Sequence, residues 1–136
     1  MRVAITTDIE PGNGTSIEWC LNTLFAMNVG ILVARKRKKI HTPLLYDSGV
    51  VYQPEPWIGT IESFDTIPVV LARKWGDCDD LAAWRAAELF VLGIKAHPIV
   101  VETPTSRAGN RRWHCLVHHV SKGVEDPSVK LGMKVL

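Results

Sequence analysis

The first long apolar stretch of the chain, LFAMNVGILVA at residues 24–34, is preceded by a loop-like PGNGTSIEW at 11–19 and followed by the basic run RKRKK at 35–39. This pattern predicts a helix from about Ile17 to about Arg35, capped by Thr15 or Ser16. The basic run falls where positive charge suits the helix dipole. Residues 41–60 behave differently. Pro43, Pro54, Pro56 and several turn formers predict loop there with at most a short strand, such as GVVYQ at 49–53, within a loop-rich segment of about 41–67. PVVLARKW at 68–75 is short and apolar and reads as strand or helix. The next helix is clearer: Cys78, Leu81, Ala82, Arg85, Leu89 and Leu92 fall at helical spacing. Asp77 caps its start, Asp79 and Asp80 sit in its first turn, and Gly93 closes it. KAHPIVVET (95–103) then reads as a strand, PTSRAGNRR (104–112) as a polar loop and WHCLVHHVS (113–121) as a second strand. After a turn at Lys122-Gly123, VEDPS (124–128) is a short third strand or its exit. Helix, helix and antiparallel meander make an α+β domain spanning 1–136.

Composition narrows the function classes. The 136 residues are 46% hydrophobic and 22% charged, enough for one core without disulfide staples. A net charge of +2 gives no case for nucleic acid. MRVAITTDIE lacks the basic and apolar regions of a signal peptide, and three well-separated cysteines suit a reducing compartment. A cytoplasmic location is therefore expected. The apolar run at 24–34 is shorter than the about 20 residues of a membrane span, and Glu18, Asn22 and Asn28 interrupt its surroundings, so no span is expected. The first helix and its basic end remain open as a surface for protein assembly or peripheral contact.

The candidate chemistry centres on GDCDD at 76–80. A cysteine at a helix N-terminus gains from the unpaired N–H groups there, which lower its pKa. The flanking aspartates oppose this, so a third influence is required. An imidazolium within reach would supply it, and His114 is on the strand that follows. Asp126, twelve residues on and past a tight turn, could become its neighbour across the hairpin and orient the ring.

GDCDDLAAWRAAELFVLGIKAHPIVV, then RWHCLVHHV, then EDPS, resembles the core of the transglutaminase-like cysteine enzyme superfamily. GDCDD is most similar to the bacterial transglutaminase-like cysteine proteinases, and compact members also occur among tailed-phage proteins. The resemblance covers residues 68–128, under half the chain. It implies a papain/transglutaminase-like core, with the nucleophile at the N-terminus of a helix packed on a small antiparallel sheet. It also implies Cys78 as nucleophile, His114 as general base and acid, Asp126 as orienter, and no cofactor. The aromatic residue usual two places after the histidine is Leu116 here. An oxyanion donor beyond the Cys78 N–H is left open between Gln53, the only glutamine, and Trp75.

Plainer readings stand beside these. Cys78 is also the kind of small residue that a core buries. HCLVHH contains three histidines, but a regular strand puts His114 and His118 on one face and His119 on the other, with no zinc spacing, so no metal is expected. Trp84 and Trp75 are candidates for the core or a groove wall, and Trp113, beside the histidine, for lining the site. Residues 106–112 read as a solvated loop or a flap over substrate. Two functions follow. One is an enzyme acting on amides of a peptide or protein substrate, by hydrolysis or transamidation. The other is a non-enzymatic structural or interaction protein on the same core, such as a virion component.

Overall fold

The computed structural model describes residues 4–8, 14–54, 61–103 and 112–134. In chain order the elements are β1 (Ala4–Asp8), α1 (Gly14–Arg37), a 3-10 turn (Leu45–Asp47), β2 (Val51–Tyr52), β3 (Ile61–Asp65) and α2 (Ile67–Arg73). They continue with β4 (Trp75–Gly76), α3 (Cys78–Val91), β5 (Ala96–Thr103), β6 (Arg112–His119), β7 (Gly123–Glu125) and α4 (Pro127–Lys130). Helix and sheet are mixed in an α+β arrangement.

Three expectations change. α1 extends past both ends of the 17–35 span, so Thr15 and Ser16 lie inside its first turn and not ahead of it. The ambiguous run at 68–75 is mostly helical, as α2, with Pro68 in its first turn, where a missing N–H costs nothing. The loop-rich segment holds more structure than one short strand. Besides β2 it contains the 3-10 turn and β3, which pairs antiparallel with β1 from Ala4↔Asp65 to Asp8↔Ile61. Pro56 and the 104–111 part of the polar loop lie outside the described residues.

α3 is the organising element, and its two ends follow from its sequence. Asp77 and Asp80 form a reciprocal capping box: each side chain accepts from the other's backbone N–H, both at 3.4 Å. At the far end Gly93 takes φ +84°. Its N–H reaches Phe90 O at 3.0 Å and the Ile94 N–H reaches Leu89 O at 2.9 Å, the paired bonds of a Schellman motif. Gly76 fits tightly just before α3. A Cβ there would meet Val70, Asp80 and Leu81 side-chain atoms, each at 3.2 Å.

Two buried clusters flank α3. In one, Ala82, Ala83, Ala86 and Leu89 meet Leu21 and Leu24 of α1, Phe64 of β3, and Cys115 and Val117 of β6. In the other, Leu81 and Trp84 meet Leu45, Val50, Ile67 and Val70. Wholly buried side chains such as Leu24, Phe64 and Trp84 each contribute about 2 kcal/mol or more of transfer free energy. Asn28, polar within the apolar run, is also fully buried; its Oδ1 accepts the Ile67 N–H at 3.0 Å and so satisfies the start of α2. By length and composition α1 is the one described helix able to cross a membrane, with mean hydropathy 1.5 over its most apolar window. In this fold its Leu21, Leu24 and Asn28 face are core.

The meander forms as its pattern predicts. β5, β6 and β7 make a three-stranded antiparallel sheet in that order. β6 pairs with β5 from Ala96↔His119 to Thr103↔Arg112, and with β7 from Val117↔Glu125 to His119↔Gly123.

Candidate active site

Cys78 is the first residue of α3, partly accessible, with its side chain at the junction of α3 and β6. His114 is on β6, on the strand face opposite Cys115 and Val117. The β6–β7 register would set residue 126 beside residue 116, making Asp126 a diagonal neighbour of His114. Contact follows: His114 Nε2 is 2.9 Å from Asp126 Oδ2. The other Asp126 oxygen accepts the Val129 N–H at 3.3 Å and caps α4. Pro127 fits there because the first helical position needs no N–H. One carboxylate thus starts a helix and orients the imidazole.

With Nε2 committed to Asp126, Nδ1 is the ring nitrogen left for the sulfur of Cys78, the hydrogen-bond partner that most strongly favours the protonated ring. That bond and the one to Asp126 outweigh burial and raise the His114 pKa from 6.5 to about 9. Cys78 moves the opposite way. The Cys115 side chain donates to its sulfur and is the largest influence favouring the thiolate. Burial opposes it, and His114 and the Cys115 N–H add to it, so the Cys78 thiol falls well below its ordinary value. Cys115 pays the complementary shift: donating to the thiolate, and buried, it is held well above the ordinary thiol range.

The aspartates beside Cys78 oppose the thiolate less than their number suggests. Asp79 is 1% exposed, neither of its oxygens has a hydrogen-bond partner, and burial together with Asp77 and Asp80 pushes its carboxyl well up, which favours the uncharged form. Burial also pushes Asp80 up. However, its Oδ1 accepts the Asp65 N–H at 2.8 Å and its Oδ2 the Arg73 guanidinium at 2.8 Å, and with both bonds made we assign it as carboxylate. Arg73 also grips Asp65 at 2.6 Å, so the charge of Asp80 is answered locally. Among the described residues, Asp77, Asp79 and Asp80 are the one group of potential metal ligands that converges, one ligand atom from each lying within 4.8 Å of the others. Asp80 is already engaged by Arg73, and Asp77 accepts the Asp80 N–H.

The other expected residues are placed as follows. Gln53 is exposed at the end of β2, its backbone N–H bonded to Gly76 O at 2.9 Å. The Trp75 ring lies against Arg73, whose guanidinium carbon is 3.9 Å from the ring centroid. Trp113 is on the strand face of Cys115 and packs into the core cluster, away from the His114 face. Trp84 is core. His118 stacks near His97, their centroids 5.1 Å apart, and His119 bonds Glu125 at 3.0 Å. Residues 106–111 of the candidate flap lie outside the described residues.

Two residues near the sulfur escaped the sequence reading. Cys115 alternates to the buried face of β6, which was legible, but its contact with Cys78 depends on how α3 crosses the sheet. Tyr52 arrives because β2 pairs parallel with β4 at Tyr52↔Gly76, two residues before Cys78. Burial, then the negative charges of Cys78, Asp77 and Asp126, raise its pKa, so its hydroxyl keeps its proton. A two-residue parallel pairing leaves no pattern in a sequence.

No family model, no curated protein and no solved structure matches the chain.

Proposed function

We propose that the protein is a cysteine-dependent acyl-transfer enzyme acting on amides, built on a papain/transglutaminase-like core, in the manner of a compact transglutaminase-like cysteine proteinase. The observation that carries this is the relay of Cys78, His114 and Asp126, in which the 2.9 Å bond of Asp126 to His114 Nε2 leaves Nδ1 for the sulfur. The thiolate of Cys78 attacks the amide carbonyl carbon. The oxyanion develops beside the first N–H groups of α3, which suit negative charge. Tyr52, kept protonated by its burial and the negative charges around it, is the second donor; Gln53 is exposed and the Trp75 ring is engaged by Arg73. His114 gives its proton to the leaving amine, and a thioester remains on Cys78. Water, activated by the same imidazole, then releases the acid; an amine would give transamidation instead. The substrate is a peptide or protein, and the setting is cytoplasmic or within a virion.

The test is cleavage of a pool of internally quenched fluorogenic peptides. Cys78→Ala is expected to lose activity by about 10³-fold or more while the far-ultraviolet circular dichroism is unchanged. A variant as fast as the parent overturns the reading. The pH profile carries the second signature. His114 must be protonated to serve the leaving amine, so kcat/KM falls as pH rises through about 9, and the acid limb lies well below the ordinary thiol range.

One feature favours a second reading, an interaction protein without activity. A cleft of about 370 Å³ at the basic end of α1 is lined by Leu32, Lys36, Ile40, Pro43, Leu44 and Leu92. An apolar floor rimmed by lysines suits an acidic, partly apolar protein segment. On this reading Cys78 alkylates no faster than an ordinary thiol.

A further inference from the structure

We propose that Cys78 is a site of reversible oxidation by small hydroperoxides, with Cys115 as the thiol that resolves it into an intramolecular disulfide. The acyl-transfer mechanism uses Cys115 only as a hydrogen-bond donor, yet a second sulfur against the nucleophile has chemistry of its own. Cys78 opens α3 and packs on the cluster in which Cys115, from β6, is buried. Both the side chain and the backbone N–H of Cys115 are hydrogen-bond partners of the Cys78 sulfur. The two side chains therefore share one cluster at the crossing of α3 and β6 before any oxidant arrives. Cys78 is partly accessible, so a molecule the size of hydrogen peroxide reaches it while Cys115 stays sheltered. Cys20 borders the same cluster and serves as the internal control.

The steps balance. The Cys78 thiolate attacks one oxygen of hydrogen peroxide: an S–O bond forms, the O–O bond breaks, and hydroxide leaves and is protonated to water. Sulfur is oxidised by two electrons to a sulfenic acid and the peroxide is reduced. That oxidation removes the negative charge that held Cys115 protonated. The Cys115 sulfur then attacks the sulfenic sulfur: the S–S bond forms, the S–O bond breaks, and the departing oxygen takes the Cys115 proton as water. Two thiols and one peroxide give one disulfide and two waters. The proposal rests on Cys78 being a thiolate, as the acyl-transfer reading also requires. The disulfide occupies the nucleophile and stops acyl transfer until a dithiol reduces it. It also protects Cys78 from irreversible oxidation.

The full chain is treated with hydrogen peroxide at neutral pH and mapped by non-reducing peptide mass spectrometry, with Cys115→Ser in parallel. The expected product in the parent is a Cys78–Cys115 linked peptide two hydrogens lighter than its parts, and dithiothreitol returns Cys78 to iodoacetamide reactivity. In Cys115→Ser, Cys78 proceeds to sulfinic acid, and about tenfold less is recovered. If circular dichroism shows that Cys115→Ser does not fold, Cys115→Ala takes its place, and the linked peptide in the parent decides independently. Irreversible loss of Cys78 in the parent, or a link to Cys20 or to a second chain, overturns the proposal. Peptide cleavage by the reduced protein is scored separately. A protein that links its cysteines but cleaves nothing keeps this proposal and loses the amide reading; one that cleaves without linking does the reverse.

Discussion

The hairpin of β6 and β7 carries two histidine–carboxylate pairs of nearly equal length. His114 meets Asp126 at 2.9 Å, and His119 meets Glu125 at 3.0 Å. The difference lies in what else touches each pair. Glu125 also accepts from Arg85 at 2.7 Å and from the Tyr46 hydroxyl. Burial works against its charge, but these bonds and His119 hold its carboxyl below the ordinary value. Arg85 in turn grips Glu88, whose other oxygen accepts the Leu45 N–H at 2.8 Å. That cluster ties β7 and the 3-10 turn to α3, and every charge in it is answered. The His114 pair meets a sulfur instead of a guanidinium. A cation on the carboxylate makes a structural clamp; a thiol on the imidazole makes a charge pair that can be spent on chemistry. A histidine beside an acid is therefore not a signature by itself, and the third partner decides.

The sharpest way to break this comparison is to remove the imidazole that meets the sulfur. His114→Ala is expected to slow iodoacetamide alkylation of Cys78 at pH 6 by about 100-fold, because the pKa returns toward the free-thiol value and the thiolate fraction falls with it. Alkylation of Cys20 should not change; a faster reaction there would mean a general loss of structure. The clamp responds in stability. Glu125→Gln leaves Arg85 partly unpaired in a mostly buried setting and is expected to cost about 2 kcal/mol in urea unfolding, after allowance for the exposure of the pair. Cys78 alkylation in that variant should match the parent, and a tenfold drop would show that the two pairs are coupled. The smallest effect is expected of Asp126→Asn, which keeps a hydrogen-bond acceptor on His114 and loses the charge. A fall of about tenfold in kcat/KM, with the alkaline limb moved to lower pH, is the expected result. An unmoved limb would show that Asp126 does not support the imidazolium.

Local signals were legible, and contacts across the fold were not. The span of α3 could be read because Asp77, Asp80 and Gly93 are end signals that act within a few residues. The antiparallel meander was legible because alternation and the Lys122-Gly123 turn leave a short-range pattern. The approach of His114 to Asp126 followed from that hairpin. β3 was missed because its partner β1 lies more than fifty residues earlier, so nothing local marks the pairing. α2 was ambiguous because seven residues are too few to show a helical period. Trp113 was expected beside the site on the strength of its neighbour, but alternation along β6 turns it into the core. The roles of Tyr52 and Cys115 depend on how distant elements cross. The upward shift of the Asp79 carboxyl depends on a burial that a run of three aspartates would not suggest.

The short α4 has a consequence of its own. Its start is held by Asp126, and just beyond its end the Leu131 carbonyl accepts the Tyr52 N–H at 3.0 Å. A four-residue helix is a small cooperative unit, well below the length that holds itself in water. Opening it frees the partner of His114 and slackens the strand that carries Tyr52, while the two clusters around α3 stay closed. The arrangement of Cys78, His114 and Asp126 can thus come apart in a sub-global fluctuation far cheaper than unfolding, and amide exchange at the C-terminal turn, more than the melting temperature, reports how much of the population holds it at any moment.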